Sequence, residues 1–70
     1  MKIQYFEDTD TLYLVFKETE VDETKDLDEN TLVEFDAHGN LVSMTIEHAG
    51  ERTDVVDFSF SRVPAMKPVA

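Results

Sequence analysis

The sequence predicts a mainly β protein: a small antiparallel meander sheet of four to five strands built from two hairpins, with little or no helix. Two observations predict this fold. Apolar and polar residues alternate in several short runs, and clusters of turn-forming residues separate the runs. A chain of 70 residues has room for one domain. We place that domain at residues 1–62 and a flexible C-terminal tail at residues 63–70.

The first hairpin is predicted from strands Lys2–Phe6 and Thr11–Phe16. The intervening Glu7–Asp10 segment is polar and suits a type I turn, because Asp and Thr side chains bond the local backbone there. Both strands alternate, but neither has a cleanly polar side. We therefore expect both faces of this part of the sheet to be partly covered.

Residues 17–30 break the alternating pattern. Seven acidic residues and one lysine lie between Glu18 and Glu29. This composition predicts a long acidic loop, with a short edge strand near Val21 to Leu27 as the alternative. The loop would be longer than most connections in compact domains.

The second hairpin is predicted from strands Thr31–Phe35 and Leu41–His48. Gly39 lies between them and supplies the positive φ that a bulged hairpin turn requires. The run Asp54–Ser61 alternates again, which predicts a fifth strand rather than a helix. Pro64 and Pro68 then end regular structure.

The formal net charge is −10, from 16 acidic and 6 basic residues. All of the excess negative charge falls in residues 1–48, since the remaining residues are balanced. Such a surface repels phosphate backbones and anionic bilayers, so we expect no direct nucleic-acid binding and no membrane binding. Such a surface would attract a basic protein or cations. The alternative is that the acidic residues only keep a small protein soluble.

The chain contains no cysteine, so no disulfide reinforces its small core. Oligomerisation is the remaining reinforcement, and we expect a homodimer. No apolar run approaches the roughly 18 residues of a membrane helix, and the N-terminus has no signal-peptide pattern. We therefore expect a cytoplasmic protein.

The residues for catalysis or cofactor binding are missing from the sequence. The serines of the predicted strands, Ser43, Ser59 and Ser61, have no glycine-rich elbow, and two glycines cannot build a phosphate-binding loop. We expect neither an enzyme nor a bound cofactor.

No metal site is predicted either. A calcium loop that begins at Asp26 would need glycine where Thr31 stands and glutamate where Ala37 stands. His38 lies in a turn and His48 at the far end of a strand, so antiparallel geometry separates the two imidazoles.

Surplus aromatic residues are the remaining functional signal. A sheet without helices covers one face by folding on itself, which leaves Phe6, Tyr13 and Val15 on its second face. We combine these with acidic residues of the 17–30 segment into a candidate interaction surface: Phe6, Tyr13, Val15, Glu20, Asp22 and Glu23. The homodimer would form through the second face, unless the acidic loop and the tail cover it.

The opening Met1-Lys2-Ile3, the Asp10–Leu14 run and the Val33–Ala49 hairpin together resemble a family of small bacterial proteins, the domain of unknown function 2283. The resemblance runs from Met1 to about Ala49 and leaves out the Arg52–Pro64 segment. It implies a cytosolic prokaryotic protein with no assigned activity and no catalytic residues to transfer. Some relatives look like partners of small toxin-like proteins in two-gene modules, which implies an antitoxin role.

Two functions therefore remain open. The first is a non-enzymatic protein-interaction module, in one form an antitoxin-like acidic partner of a small basic protein. The second is a small module that binds a divalent cation or another ligand through the acidic residues of the hairpin and the loop.

Overall fold

The computed structural model describes residues 1–65 of the chain. Their five strands form one antiparallel sheet in the order β1-β2-β5-β4-β3. The strands are β1 (Lys2–Phe6), β2 (Thr11–Val15), β3 (Glu23–Asp28), β4 (Thr31–Phe35) and β5 (Leu41–Glu47). The predicted mainly β, antiparallel fold is confirmed.

Strands β3, β4 and β5 follow one another as a meander, and β2 pairs with the free side of β5. Both predicted hairpins are present, β1–β2 and β4–β5. Gly39 has a φ of 81° in the β4–β5 turn, as its position predicted, and the register shifts next to that turn. Strands β2 and β5 each end one residue earlier than predicted, which lies within the usual uncertainty of strand ends.

The register sorts the side chains onto two faces. Ile3 lies opposite Leu14, and Leu14 lies opposite Met44, so these apolar residues share one face. We call it the core face; it carries Ile3, Tyr5, Leu12, Leu14, Val33, Met44 and Ile46. The opposite second face carries Phe6, Tyr13, Val15, Leu32, Ser43 and Thr45. Phe6, Tyr13 and Val15 share the second face, as the alternation predicted.

The acidic segment contains the edge strand expected near Val21 to Leu27, which the structure places at Glu23–Asp28, so the connecting loop is shorter than residues 17–30. Strand β3 pairs with β4 from Glu23 to Asp28, and Asp22 N–H already donates to the Phe35 carbonyl at 2.8 Å. All six residues of β3 are exposed. A strand at a sheet edge needs only one backbone neighbour, and charged side chains there also block pairing with other chains.

The predicted strand Asp54–Ser61 is absent, and this prediction is wrong. The segment begins with a turn in which Asp57 N–H approaches the Asp54 carbonyl at 3.3 Å, and its remaining described residues have no regular structure. Alternation alone cannot make a strand, because the backbone also needs a partner strand. This segment instead lies over the core face, where Val55 and Phe58 line a hollow with Tyr5 and Leu12.

One short helix, α1 (Ala49–Arg52), follows β5. Its Ala49 is fully buried, and both the N–H and the hydroxyl of Thr53 donate to the Ala49 carbonyl at 2.7 Å. None of the described helices is long and apolar enough to cross a membrane. Residues 63–65 of the predicted tail have no regular structure, and residues 66–70 lie outside the described part of the chain.

The core is small. Among residues 1–65 the buried apolar side chains are Val33, Val42 and Ala49 only. The larger apolar residues of the core face, such as Leu14 and Ile46, are half-buried, and Ile3 is exposed. A sheet face is normally buried by a second layer. Here the C-terminal segment supplies only part of such a layer.

Candidate interaction surface

The three predicted apolar residues of the surface share the second face, as expected. Phe6 lies in β1 and is 45% exposed, whereas Tyr13 and Val15 of β2 are half-buried. Lys2 pairs with Val15 and Gln4 with Tyr13, so polar side chains separate Phe6 from the other two along the hairpin. The face therefore carries apolar Tyr13 and Val15 on β2, polar Ser43 and Thr45 on the central strand β5, and a mixture on β1.

The three predicted acidic residues lie elsewhere. Glu20 and Asp22 belong to the connection before β3, and Glu23 begins that strand at the opposite edge of the sheet. Strand β2 is three strand spacings from β3, which is about 14 Å. The six residues thus form two separate patches, and the prediction that joined them into one surface needs this correction.

The acidic patch is larger than predicted. We call residues Glu18–Glu29 the acidic edge, since all seven of its carboxylates are on exposed residues and β3 forms the sheet margin. Its one lysine, Lys25, lies 3.7 Å from Glu23 and also 5.7 Å from the centre of the Phe35 ring. Lys25 and Arg52, which pairs with Asp28, are outnumbered by the seven carboxylates, so the edge remains strongly negative.

A shallow depression opens at one end of the acidic edge, with carboxylates around an apolar floor. Its lining comprises Asp26, Asp28, Glu29, Asn30, Thr31, Leu32, Thr45 and Glu47. Arg52 reaches this end from α1, with its guanidinium 3.1 Å from Asp28 and 2.7 Å from the Thr31 hydroxyl. The Asn30 N–H, the Thr31 hydroxyl and Arg52 together lower the pKa of Asp28.

A second carboxylate, Asp10, joins the first hairpin to α1. Its Oδ1 accepts hydrogen bonds from the Tyr5 hydroxyl at 2.5 Å and from Gly50 N–H at 2.8 Å, and its carbonyl accepts from Ala49 N–H at 2.9 Å. Asp10 has a φ of 51°, a left-handed conformation that aspartate tolerates better than most residues. The hydrogen bond from Tyr5, then that from Gly50, and the nearby His48 lower the pKa of Asp10.

One protein-family model matches more than half of the chain. A family model described as "Protein of unknown function (DUF2283)" matches residues 2–49. The chain belongs to this family. Searches of curated proteins and of solved structures found no match.

The DUF2283 match covers all five strands and ends at Ala49, so the family segment is the complete sheet. Residues 50–65 lie beyond the match. Gly50 donates to Asp10 in what we call the Asp10 junction, the hydrogen bonds that join Tyr5, Asp10 and Gly50. Arg52 contacts the acidic edge, and Val55 and Phe58 lie over the core face. In this DUF2283 protein, the C-terminal segment therefore touches both the charged patch and the apolar one.

Histidines and carboxylates do not converge in this DUF2283 sheet. Within residues 1–65 no three histidine, aspartate or glutamate side chains approach closely enough to hold a metal ion. Asp10 already accepts two hydrogen bonds, and His48 lies beside Glu51 at 3.8 Å. The Asp10 junction was not predicted from sequence, because an aspartate in a hairpin turn carries no signal for a partner forty positions away.

Proposed function

We propose that this DUF2283 protein is a non-enzymatic protein-interaction module whose acidic edge binds a basic protein. The observation that carries the proposal is the geometry of the acidic edge: seven exposed carboxylates collected along one margin of the sheet. A single-sign charged margin speeds the association of a partner of opposite charge and sets its orientation.

An exposed apolar side chain within the acidic edge supports the same proposal. Leu27 is 64% exposed in the middle of β3, between Asp26 and Asp28, so an apolar contact lies inside the charged patch. Apolar residues surrounded by charged ones are a common arrangement in protein interfaces. A basic protein would thus gain charge complementarity from the carboxylates and buried apolar area from Leu27.

We place this function in the cytoplasm, and one form of it is an antitoxin-like role in which the acidic edge neutralises a small basic protein. A homodimer belongs to the same proposal. It is supported by the small number of buried apolar residues in the described chain, since contact with a second copy would bury more apolar surface.

The test uses the full chain as bait in a lysate of its native cell, followed by titration with each purified basic protein that it retains. An edge variant neutralises three carboxylates (Glu20→Gln, Asp22→Asn, Glu23→Gln). A matched control neutralises three exposed carboxylates elsewhere (Glu51→Gln, Asp54→Asn, Asp57→Asn), so both variants have the same net charge.

We expect the edge variant to bind on the order of tenfold more weakly than wild type, and the control to bind nearly as well. Binding of the wild type should also weaken as salt is raised. Equal losses in the two variants, or no basic partner at moderate salt, would rule out the acidic edge as a binding site. Growth rescue on co-expression with a toxic partner would test the antitoxin form.

A further inference from the structure

We propose that two copies of this chain join through β1, edge to edge, and continue the sheet across a two-fold axis that passes through Gln4. This inference rests on the homodimer of the proposed function, moves its contact from the second face expected from sequence to the β1 edge, and adds the register. It does not depend on the acidic edge.

The two edges of the sheet differ in how they resist pairing. Strand β3 carries three carboxylates and is flanked by more, so two β3 edges repel each other. Strand β1 carries one charge, Lys2, and four of its five residues are exposed. In the described chain β1 pairs only with β2, so its outer N–H and C=O groups are open to another strand.

Exposed apolar side chains gather along the same edge. Met1, Ile3, Phe58 and Phe60 line one hollow on the core face beside β1. Phe58 is 64% exposed and Phe60 76% exposed. On the second face, Phe6 adds an apolar side chain to the same strand. The β1 edge is therefore apolar on the core face, whereas on the second face Phe6 stands beside the polar Gln4 and Lys2.

The C-terminal segment adds contact area that β1 alone cannot supply. A five-residue strand is only about 17 Å long, whereas a stable interface covers about 800 Å² on each partner. Each phenylalanine can bury up to about 200 Å². Phe58 and Phe60 from both copies would enlarge the contact beyond what paired backbones supply.

The symmetry fixes the register. In an antiparallel pair, opposite residues point to the same face, so a two-fold axis must pass through one residue of β1. An axis through Gln4 pairs the whole strand, with Ile3 opposite Tyr5 on the core face and Lys2 opposite Phe6 on the second. It also brings each Lys2 toward the partner's acidic Glu7–Asp10 turn, which supplies opposite charge at both ends.

The test uses the absence of cysteine from the chain. In this register only Gln4 faces its own copy, at a Cα separation of about 5 Å, which suits a disulfide. Under mild oxidation we expect Gln4→Cys to form a covalent dimer rapidly. The matched control Thr24→Cys, on the exposed β3 edge, should remain a thiol under the same conditions.

A second pair of variants tests the apolar contact in the cysteine-free chain. We expect Phe58→Ser with Phe60→Ser to raise the dimer dissociation constant at least about tenfold. Val56→Ser with Val63→Ser removes two still more exposed apolar side chains outside the hollow and should leave the dissociation constant unchanged.

Failure of the inference is distinguishable from failure of the proposed function. A dimer in which Gln4→Cys crosslinks no faster than Thr24→Cys, or which the phenylalanine variant does not weaken, overturns the β1 contact and leaves the homodimer in place. A wild-type chain that stays monomeric overturns the β1 contact and the homodimer together. The binding of a basic protein is decided separately by the charge-neutralised variants.

Discussion

The hydroxyl of Tyr5 donates a hydrogen bond of 2.5 Å to Oδ1 of Asp10, and the same oxygen accepts from Gly50 N–H at 2.8 Å. One carboxylate oxygen thus links strand β1, the first turn and helix α1. A Cβ on Gly50 would lie 2.9 Å from that oxygen, so any other residue would push the Asp10 carboxylate out of its present position. The junction fixes where the C-terminal segment leaves the sheet and crosses the core face.

Removing the Tyr5 hydroxyl should therefore loosen this junction. We expect Tyr5→Phe to lower the midpoint of thermal unfolding, because Asp10 loses a charge-assisted hydrogen bond. Tyr13→Phe is the matched control, since the Tyr13 hydroxyl has no hydrogen-bond partner among the described side chains. Equal midpoints for the two variants, measured by circular dichroism, would show that the junction adds no stability.

Acid should destabilise the protein through three aspartates. The pKa values of Asp10, Asp28 and Asp36 are lowered from 3.8 by hydrogen bonds to the charged carboxylates. A lowered pKa adds stability that is present above about pH 3.8 and is lost as the pH falls through the folded-state pKa. The free energy of unfolding should accordingly fall below pH 3.8.

The Asp36 turn allows a direct check of that sign. Asp36 accepts hydrogen bonds from His38 N–H and Asn40 N–H, both at 2.9 Å. The stability difference between wild type and Asp36→Asn should be largest near neutral pH and shrink below pH 3.8 in urea titrations. A difference that is constant with pH would contradict the contribution of the charged carboxylate.

Alternation predicted β1, β2, β4 and β5 from sequence because each of these strands has apolar residues on one face. Strand β3 lacks that signal, since an exposed edge strand needs no apolar face and Glu23–Asp28 is almost wholly polar. The Asp54–Ser61 run has the signal but no neighbouring strand. Period-2 patterning reports which side chains meet the same surface and does not report backbone pairing.

The sequence predicted the composition of the two patches of the candidate surface but not their positions relative to each other. The second-face residues Phe6, Tyr13 and Val15 follow from alternation, and the charge of the acidic edge follows from composition. Their separation across the sheet depends on strand order, which places β5 and β4 between β2 and β3. The contacts of Arg52 with Asp28 and Thr31 depend on tertiary structure in the same way.

The β4–β5 turn gives a prediction of backbone strain. Gly39 has a φ of 81°, and no atom lies within 4 Å of where its Cβ would stand. Gly39→Ala should thus cost about 1 kcal/mol through backbone strain alone. Gly39→Asn should cost less, because asparagine tolerates positive φ better. Equal losses for the two variants in urea unfolding would contradict a purely conformational cost.

Divalent cations should have little effect on stability. No cluster of three candidate ligands exists in residues 1–65, so we expect equal unfolding midpoints with and without millimolar calcium, magnesium, manganese or zinc. A ligand that binds the native state must raise the midpoint. A clear rise with one metal would favour the cation-binding alternative over the protein-interaction module.

Our central claim is that a sheet with so few buried apolar residues is half of a two-copy unit. The most direct measurement is the molar mass of the full chain by light scattering during size-exclusion chromatography, over a range of concentrations. We predict a mass of twice the 8.0 kDa chain that falls on dilution. A constant mass of 8.0 kDa up to millimolar concentration would contradict the claim.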